Sequence, residues 1–137
     1  MLVAWAPALL WSAFIFFLSA QNTWTVVSGP PAVQVARKSA HIVEYSILGL
    51  LVGQGLLATW TVRRQAITRL LLARAWRWGV AISTLYGASD EIHQSFVPRR
   101  EFHITDIVID GLSATAALGI WYIARTYRLK VRSTMGA

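Results

Sequence analysis

The sequence predicts an all-α fold, a bundle of four transmembrane helices. Of its 137 residues, 55% are hydrophobic and 14% are charged, which is well on the apolar side of average usage. Four apolar stretches each approach the ~20 residues that a helix needs to cross a bilayer. All acidic residues lie between Glu44 and Asp110 instead of being scattered over the chain. We therefore expect residues 1–137 to form one membrane domain with a polar site inside it.

The composition excludes several classes of function. The chain has no Cys, so disulfides, thiolate metal sites and cysteine nucleophiles are excluded. The formal charge of +7 suits nucleic acid, but the apolar content and the lack of an RNA or DNA motif point away from it. No nucleic-acid partner is predicted. In a membrane protein an excess of Lys and Arg more often sets the topology.

The first predicted span covers residues 2–20. No basic side chain precedes it, and cleavage after Ala20 would put Leu18 where a signal peptidase needs a small residue. We expect the segment to be retained as a helix. Pro7 near its start is tolerable in a membrane helix.

The second predicted span covers residues 35–59 and follows the helix-breaking Gly29-Pro30-Pro31. Residues 63–77 then interleave five Arg with apolar side chains. This pattern predicts either a short amphipathic helix lying at the membrane interface or a solvated loop with apolar anchors.

The third predicted span covers residues 76–96, is apolar until Ser89, and is closed by Pro98. The fourth covers residues 104–122, and a basic tail, 123–137, follows it.

The distribution of basic residues predicts the orientation. Nine of the 13 fall between spans two and three or after span four: Arg63, Arg64, Arg69, Arg74, Arg77, Arg125, Arg128, Lys130 and Arg132. The positive-inside rule places both regions, and both termini, in the cytoplasm of a multi-pass cell-membrane protein. The start of span two, the end of span three and the start of span four then converge on the outer face.

Span two carries Lys38, His41 and Tyr45 at steps of three and four, so they share one helix face. A cation, an imidazole and a phenol in one stripe predict a face that is turned towards the protein interior and away from lipid. The alternative to a functional stripe is a set of interhelical hydrogen bonds, which membrane bundles use for association.

Spans three and four carry the carboxylates. Asp90 and Glu91 are adjacent, so one is expected to face the site while the other pairs with an Arg or caps a neighbour. Asp106 and Asp110 share a stripe with His103. Asp106 lies near a predicted helix start, so an alternative role of its carboxylate is only to stabilise the helix through a favourable interaction with the helix dipole.

No metal site is predicted, because no two His fall at the one-turn spacing of helical zinc ligands. Arg99 and Arg100 suit recognition of a phosphate or carboxylate, which guanidinium groups bind bidentately. Ion pairing with the acidic residues is an equally good interpretation of Arg99 and Arg100.

Three segments carry a resemblance to a known family. They are residues 37–45, with Lys38, His41 and Tyr45; residues 86–100, with the run Ser-Asp-Glu-Ile-His-Gln-Ser-Phe-Val-Pro; and residues 106–111. The chain resembles the VanZ-like family of small bacterial membrane proteins over nearly its whole length. Arg99 stands where the family pattern has Gly, and Asp110 where it has Asn. The protein after which the family is named is associated with resistance to teicoplanin. The resemblance therefore implies that this chain binds or acts on a component of the cell envelope.

These observations predict a site that acts on or binds a membrane lipid or an anionic lipid-linked envelope precursor. The candidate catalytic residues are His41, Glu91, Asp90 and Asp106. The candidate substrate-binding residues are Lys38, Tyr45, His93, Gln94, Arg99, Arg100 and Asp110. Enzyme action and non-catalytic binding of lipid, antibiotic or partner protein both fit this set. An ion pathway fits less well, because the inner halves of the spans carry no matching polar stripe.

Overall fold

The computed structural model describes residues 2–21, 31–61, 67–98 and 100–135. Within these ranges the chain forms four helices and no strand. They are α1 (Leu2–Ser19), α2 (Pro31–Thr61), α3 (Arg69–Gln94) and α4 (Ile104–Met135). The predicted all-α bundle is confirmed. Pro7 lies inside α1 without ending it.

Each helix runs antiparallel to the one before it. Trp5 near the start of α1 donates a 2.9 Å hydrogen bond to Thr59 near the end of α2. Gly53 of α2 lies against Gly79 of α3, where an added Cβ on Gly79 would be 3.5 Å from the Gly53 Cα. The ends of α1 and α3 therefore meet the starts of α2 and α4 at one end of the bundle.

Small residues set the distance between α2 and α4. A Cβ added at Gly49 would lie 3.1 Å from the Ala114 Cβ and 3.2 Å from its Cα. Small side chains at such positions let helix backbones approach closely in a membrane, where packing rather than the hydrophobic effect drives association. Because the two backbones are close here, side chains that lie one or two turns earlier on α2 and α4 can contact each other.

Large apolar side chains cover the outside of the bundle. Leu9, Phe17, Leu85, Leu112 and Ile120 are each more than half exposed. Exposed apolar surface on this scale marks an interaction surface, and bilayer lipid is the partner that the helix lengths suggest. Within the described residues, α1, α2 and α4 are long and apolar enough to cross a membrane.

Helix α3 is not among these candidate spans. Its apolar stretch is short, because it is bounded by Arg77 on one side and by Asp90 and Glu91 on the other. That it also crosses the membrane stays a prediction, supported by its packing against both α2 and α4.

The second span begins at Pro31 instead of residue 35, and two predicted segments differ in kind from the structure. A separate amphipathic helix before span three does not form within the described residues, since Arg69–Gln94 is one continuous helix; residues 62–66 lie outside them. The Thr68 side chain accepts a hydrogen bond from the Leu71 amide and caps this helix, and no Pro interrupts it. The predicted basic tail is also helical as far as Met135, since α4 continues beyond residue 122.

Candidate functional site

The polar site occupies the end of the bundle where α1 and α3 end and α2 and α4 begin. Four of its carboxylates are almost completely buried: Asp90 is 4% exposed, Glu91 1%, Asp106 1% and Asp110 0%. A buried charge without a partner is strongly destabilising. The contacts of these groups therefore define the site.

His41 is the centre of one group of contacts. Its Nδ1 lies 3.0 Å from Asp110 Oδ1, on α4. An ionised carboxylate only accepts hydrogen bonds, so the tautomer with the hydrogen on Nδ1 is the one that fits, and this N–H donates a hydrogen bond to Asp110. The other ring nitrogen, Nε2, lies 4.0 Å from Asp106 Oδ2. The Tyr45 ring lies nearly parallel to the imidazole, with the centroids 6.1 Å apart.

Arg37 supplies the positive charge nearest to this group. Its Nη2 lies 3.1 Å from Asp106 Oδ2, although this oxygen accepts no hydrogen bond of good geometry within the described part of the chain. The Arg37 side chain is 25% exposed, so it closes the cluster on the side that faces outward.

The two adjacent acidic residues of α3 contact different neighbours, as their spacing predicts. Asp90 Oδ2 accepts 2.8 Å hydrogen bonds from Ser19 Oγ and Gln94 Nε2, which ties the end of α1 to α3. Glu91 Oε2 accepts a 2.9 Å hydrogen bond from the backbone N–H of His103, just before α4. Glu91 thus holds the entry to α4 in place.

A cavity of about 240 Å³ lies beside His41. It is lined by Leu18, Ser19, Ala36, Arg37, Ala40, His41, Glu44 and Arg100. Arg100 donates to the Gln21 carbonyl at 3.2 Å, while its buried Nε has no partner in the described residues. Burial lowers the pKa of the Arg100 guanidinium, and Asp90 acts in the opposite direction. An arginine remains a cation in spite of such a shift.

Some predicted site residues lie outside the cluster. Lys38 is exposed, and Arg37, four residues before His41 instead of three, takes the place at the cavity. His93 is half-buried and stacks on Phe16 of α1, with the ring centroids 4.3 Å apart. Gln94 is buried but contacts Asp90 instead of the cavity. Arg99 lies outside the described residues.

Three polar residues that line the cavity were not among the predicted site residues: Ser19, Arg37 and Glu44. The spacing could have identified Arg37, since a residue four positions before His41 shares its helix face just as a residue three positions before it does. Ser19 had only a weak signal, as the last polar side chain of an apolar helix.

The site therefore combines two chemical capacities. Arg37 and Arg100 can hold an anion in the cavity, and His41, oriented by Asp110, presents Nε2 for proton transfer. The fold also brings together potential ligands from three helices. Single nitrogen or oxygen atoms of His41, Glu91 and Asp106 all lie within 4.8 Å of one another. Sequence spacing did not predict this cluster, because no two of these residues belong to the same helix.

Replacement of Asp110 tests the hydrogen bond that orients His41. We expect Asp110→Asn to keep the thermal stability of the detergent-solubilised protein, since the amide oxygen can still accept from Nδ1 and one of several close carboxylates is removed. Asp110→Ala leaves a buried N–H unpaired and should cost about 1–3 kcal/mol. Equal losses of melting temperature in both variants would show that the charge of Asp110, and not its hydrogen bond, is what the fold requires.

Comparison with known proteins places this site in a family. A family model described as VanZ/LLP1 matches residues 4–125, which include every site residue named above. Searches of the curated proteins and of the solved structures found no significant match. The match covers most of the chain, and the four-helix architecture agrees with the resemblance seen in its motifs. The protein therefore belongs to the VanZ/LLP1 family, as an all-α member whose helices suit a membrane.

Proposed function

We propose that this protein binds an anionic, lipid-linked component of the cell envelope in the cavity between α1, α2 and the connection from α3 to α4. One observation carries the proposal: two arginines from separate parts of the chain line the same small cavity at the end of a membrane bundle. Arg37 comes from α2 and Arg100 from the connection before α4.

The cavity chemistry matches an anionic head group. Guanidinium groups bind phosphate or carboxylate oxygens through paired, charge-assisted hydrogen bonds. A cavity of about 240 Å³ is smaller than the ~300–1,000 Å³ of sites for drug-sized ligands, so it suits a phosphate-sized head group and not a whole lipid. Leu18, Ala36 and Ala40 form the apolar part of the lining, where the first carbons of a lipid chain would lie.

Arg100→Gln tests this recognition, with Lys38→Gln as the matched control. Both changes remove one positive charge from the same end of the bundle, but Lys38 is exposed and does not line the cavity. Hydrogen bonds to charged groups contribute ~1.5–3 kcal/mol, so Arg100→Gln should weaken binding of a polyprenyl phosphate in detergent about tenfold or more. Lys38→Gln should change it less than about twofold.

The binding is measured by native mass spectrometry or fluorescence titration, with phosphatidylcholine as the zwitterionic comparison. Equal weakening by the two substitutions would indicate general surface attraction and would contradict a specific pocket. Equal binding of the phosphate lipid and phosphatidylcholine would contradict recognition of an anion.

We further propose that the site faces away from the cytoplasm. The described basic side chains Arg69, Arg74, Arg77, Arg125 and Arg128 belong to the opposite end of the bundle, where the positive-inside rule places the cytoplasm.

Labelling of introduced cysteines tests this orientation, because the chain has no Cys of its own and each introduced thiol is the only one in the protein. Gly29→Cys lies in the segment that joins α1 to α2 at the site end, and Ala66→Cys in the segment that joins α2 to α3 at the basic end. In intact cells a membrane-impermeant maleimide should modify Cys at position 29 and reach position 66 only after permeabilisation. The reverse pattern would place the site in the cytoplasm.

The pairing of His41 with Asp110 favours a second candidate function, chemistry on the bound component. An imidazole held by a carboxylate is a usual arrangement of a general base, and the namesake of the family that the chain resembles is associated with teicoplanin resistance. If chemistry occurs, His41→Gln should abolish any teicoplanin resistance that the wild-type protein confers on a sensitive host. The variant should still reach the membrane at the wild-type level, because Gln can donate to Asp110.

The susceptibility of cells expressing the wild type, the variant or an empty vector is compared at matched protein levels. Full resistance with His41→Gln would favour binding alone. No resistance with the wild type would remove the connection to teicoplanin for this chain.

A further inference from the structure

We propose that His41, Glu91 and Asp106 form a binding site for one divalent transition-metal ion, with Zn²⁺ or Mn²⁺ as the fitting ions. The three residues come from α2, α3 and α4, and one potential ligand atom from each lies within 4.8 Å of the others. This proposal does not rest on the proposed function, since metal binding can occur whatever the cavity recognises.

The environment of His41 is the one that metal-binding histidines have. A ligating imidazole usually donates its other N–H to a carboxylate, which fixes the tautomer and aims the free nitrogen at the metal. His41 Nδ1 makes this contact with Asp110 Oδ1 at 3.0 Å. Asp110, which is 0% exposed, therefore has the role of the outer carboxylate.

The distance between His41 and Asp106 suits a shared ion. Their Nε2 and Oδ2 atoms are 4.0 Å apart, too far for a hydrogen bond. Zinc lies ~2.0–2.2 Å from imidazole nitrogen and carboxylate oxygen. An ion between the two atoms reaches both, and tetrahedral coordination would draw the two side chains closer together.

Glu91 supplies an independent observation that points to a ligand. The residue is 1% exposed. Its Oε2 is occupied by the His103 amide, but its Oε1 is buried and has no hydrogen-bond partner in the described residues. A buried, unpaired carboxylate oxygen is costly, and coordination to a cation would satisfy it.

The formal charges also favour a cation. Glu91, Asp106 and Asp110 bring three carboxylates to the neighbourhood of His41, and Arg37 forms an ion pair with one of them, Asp106. With a neutral imidazole this leaves two negative charges, which a divalent ion would balance. Mixed nitrogen and oxygen ligands suit Zn²⁺ or Mn²⁺ better than Mg²⁺ or Ca²⁺, which prefer oxygen alone.

Metal content tests the proposal directly. The protein is purified in detergent with an affinity tag that contains no histidine, and its Zn and Mn are measured by inductively coupled plasma mass spectrometry. After treatment with a chelator, calorimetric titration with Zn²⁺, Mn²⁺ and Mg²⁺ gives the stoichiometry and affinity. We expect about one equivalent of Zn²⁺ or Mn²⁺ and binding of Mg²⁺ at least tenfold weaker.

Glu91→Gln should weaken Zn²⁺ or Mn²⁺ binding at least tenfold, while its side-chain oxygen can still accept from the His103 amide and preserve the fold. Glu101→Gln is the matched control, because it makes the same change at an exposed residue and should bind like the wild type. If Glu91→Gln does not fold, His41→Gln provides the second variant. A wild type that binds no equivalent of either ion, a preference for Mg²⁺, or unchanged affinity in both site variants would overturn the proposal.

Discussion

The structure depends on one constraint: four carboxylates are buried at one end of an apolar bundle, and each needs a partner. One oxygen of Asp90 accepts from Ser19 and Gln94, and one oxygen of Glu91 accepts from the amide before α4. Asp106 forms an ion pair with Arg37, and Asp110 contacts His41. Since these contacts join all four helices, the charged groups determine how the helix ends meet. Loss of one partner leaves a charge in a medium of low dielectric constant, where isolated ions cost several kcal/mol.

Glycine makes this charged cluster sterically possible. A Cβ added at Gly87 would lie only 2.7 Å from Asp110 Oδ2 and 3.2 Å from the Tyr45 ring. A side chain at position 87 would therefore push Asp110 away from His41. Further along the same interfaces, Gly53 and Gly79 leave room for Leu118. The packing of the apolar middle and the geometry of the polar end are thus two results of the same close helix approach.

Much of the fold and part of the site could be predicted from the sequence. Apolar length predicted the helices, and the restriction of acidic residues to one stretch predicted the polar end. Periodicity put Lys38 and His41 on one face, but it could not decide between Lys38 and Arg37, because both lie within one turn of His41 and only packing separates them. The contribution of Ser19 depends on how α1 docks against α3, which no local pattern encodes. The cluster of His41, Glu91 and Asp106 likewise exists only once three helices are assembled.

The length of α4 has a consequence for where the site lies in the bilayer. Asp106 and Arg125 belong to one uninterrupted helix, and the 19-residue step between them spans about 28 Å at ~1.5 Å per residue. This is close to the ~30 Å hydrocarbon thickness of a typical membrane. A basic group anchored among the phosphates of one leaflet would therefore hold the acidic cluster at the boundary of the other leaflet, instead of at the midplane. Thinning or thickening the membrane would tilt this rod and shift the cavity relative to the head groups it faces.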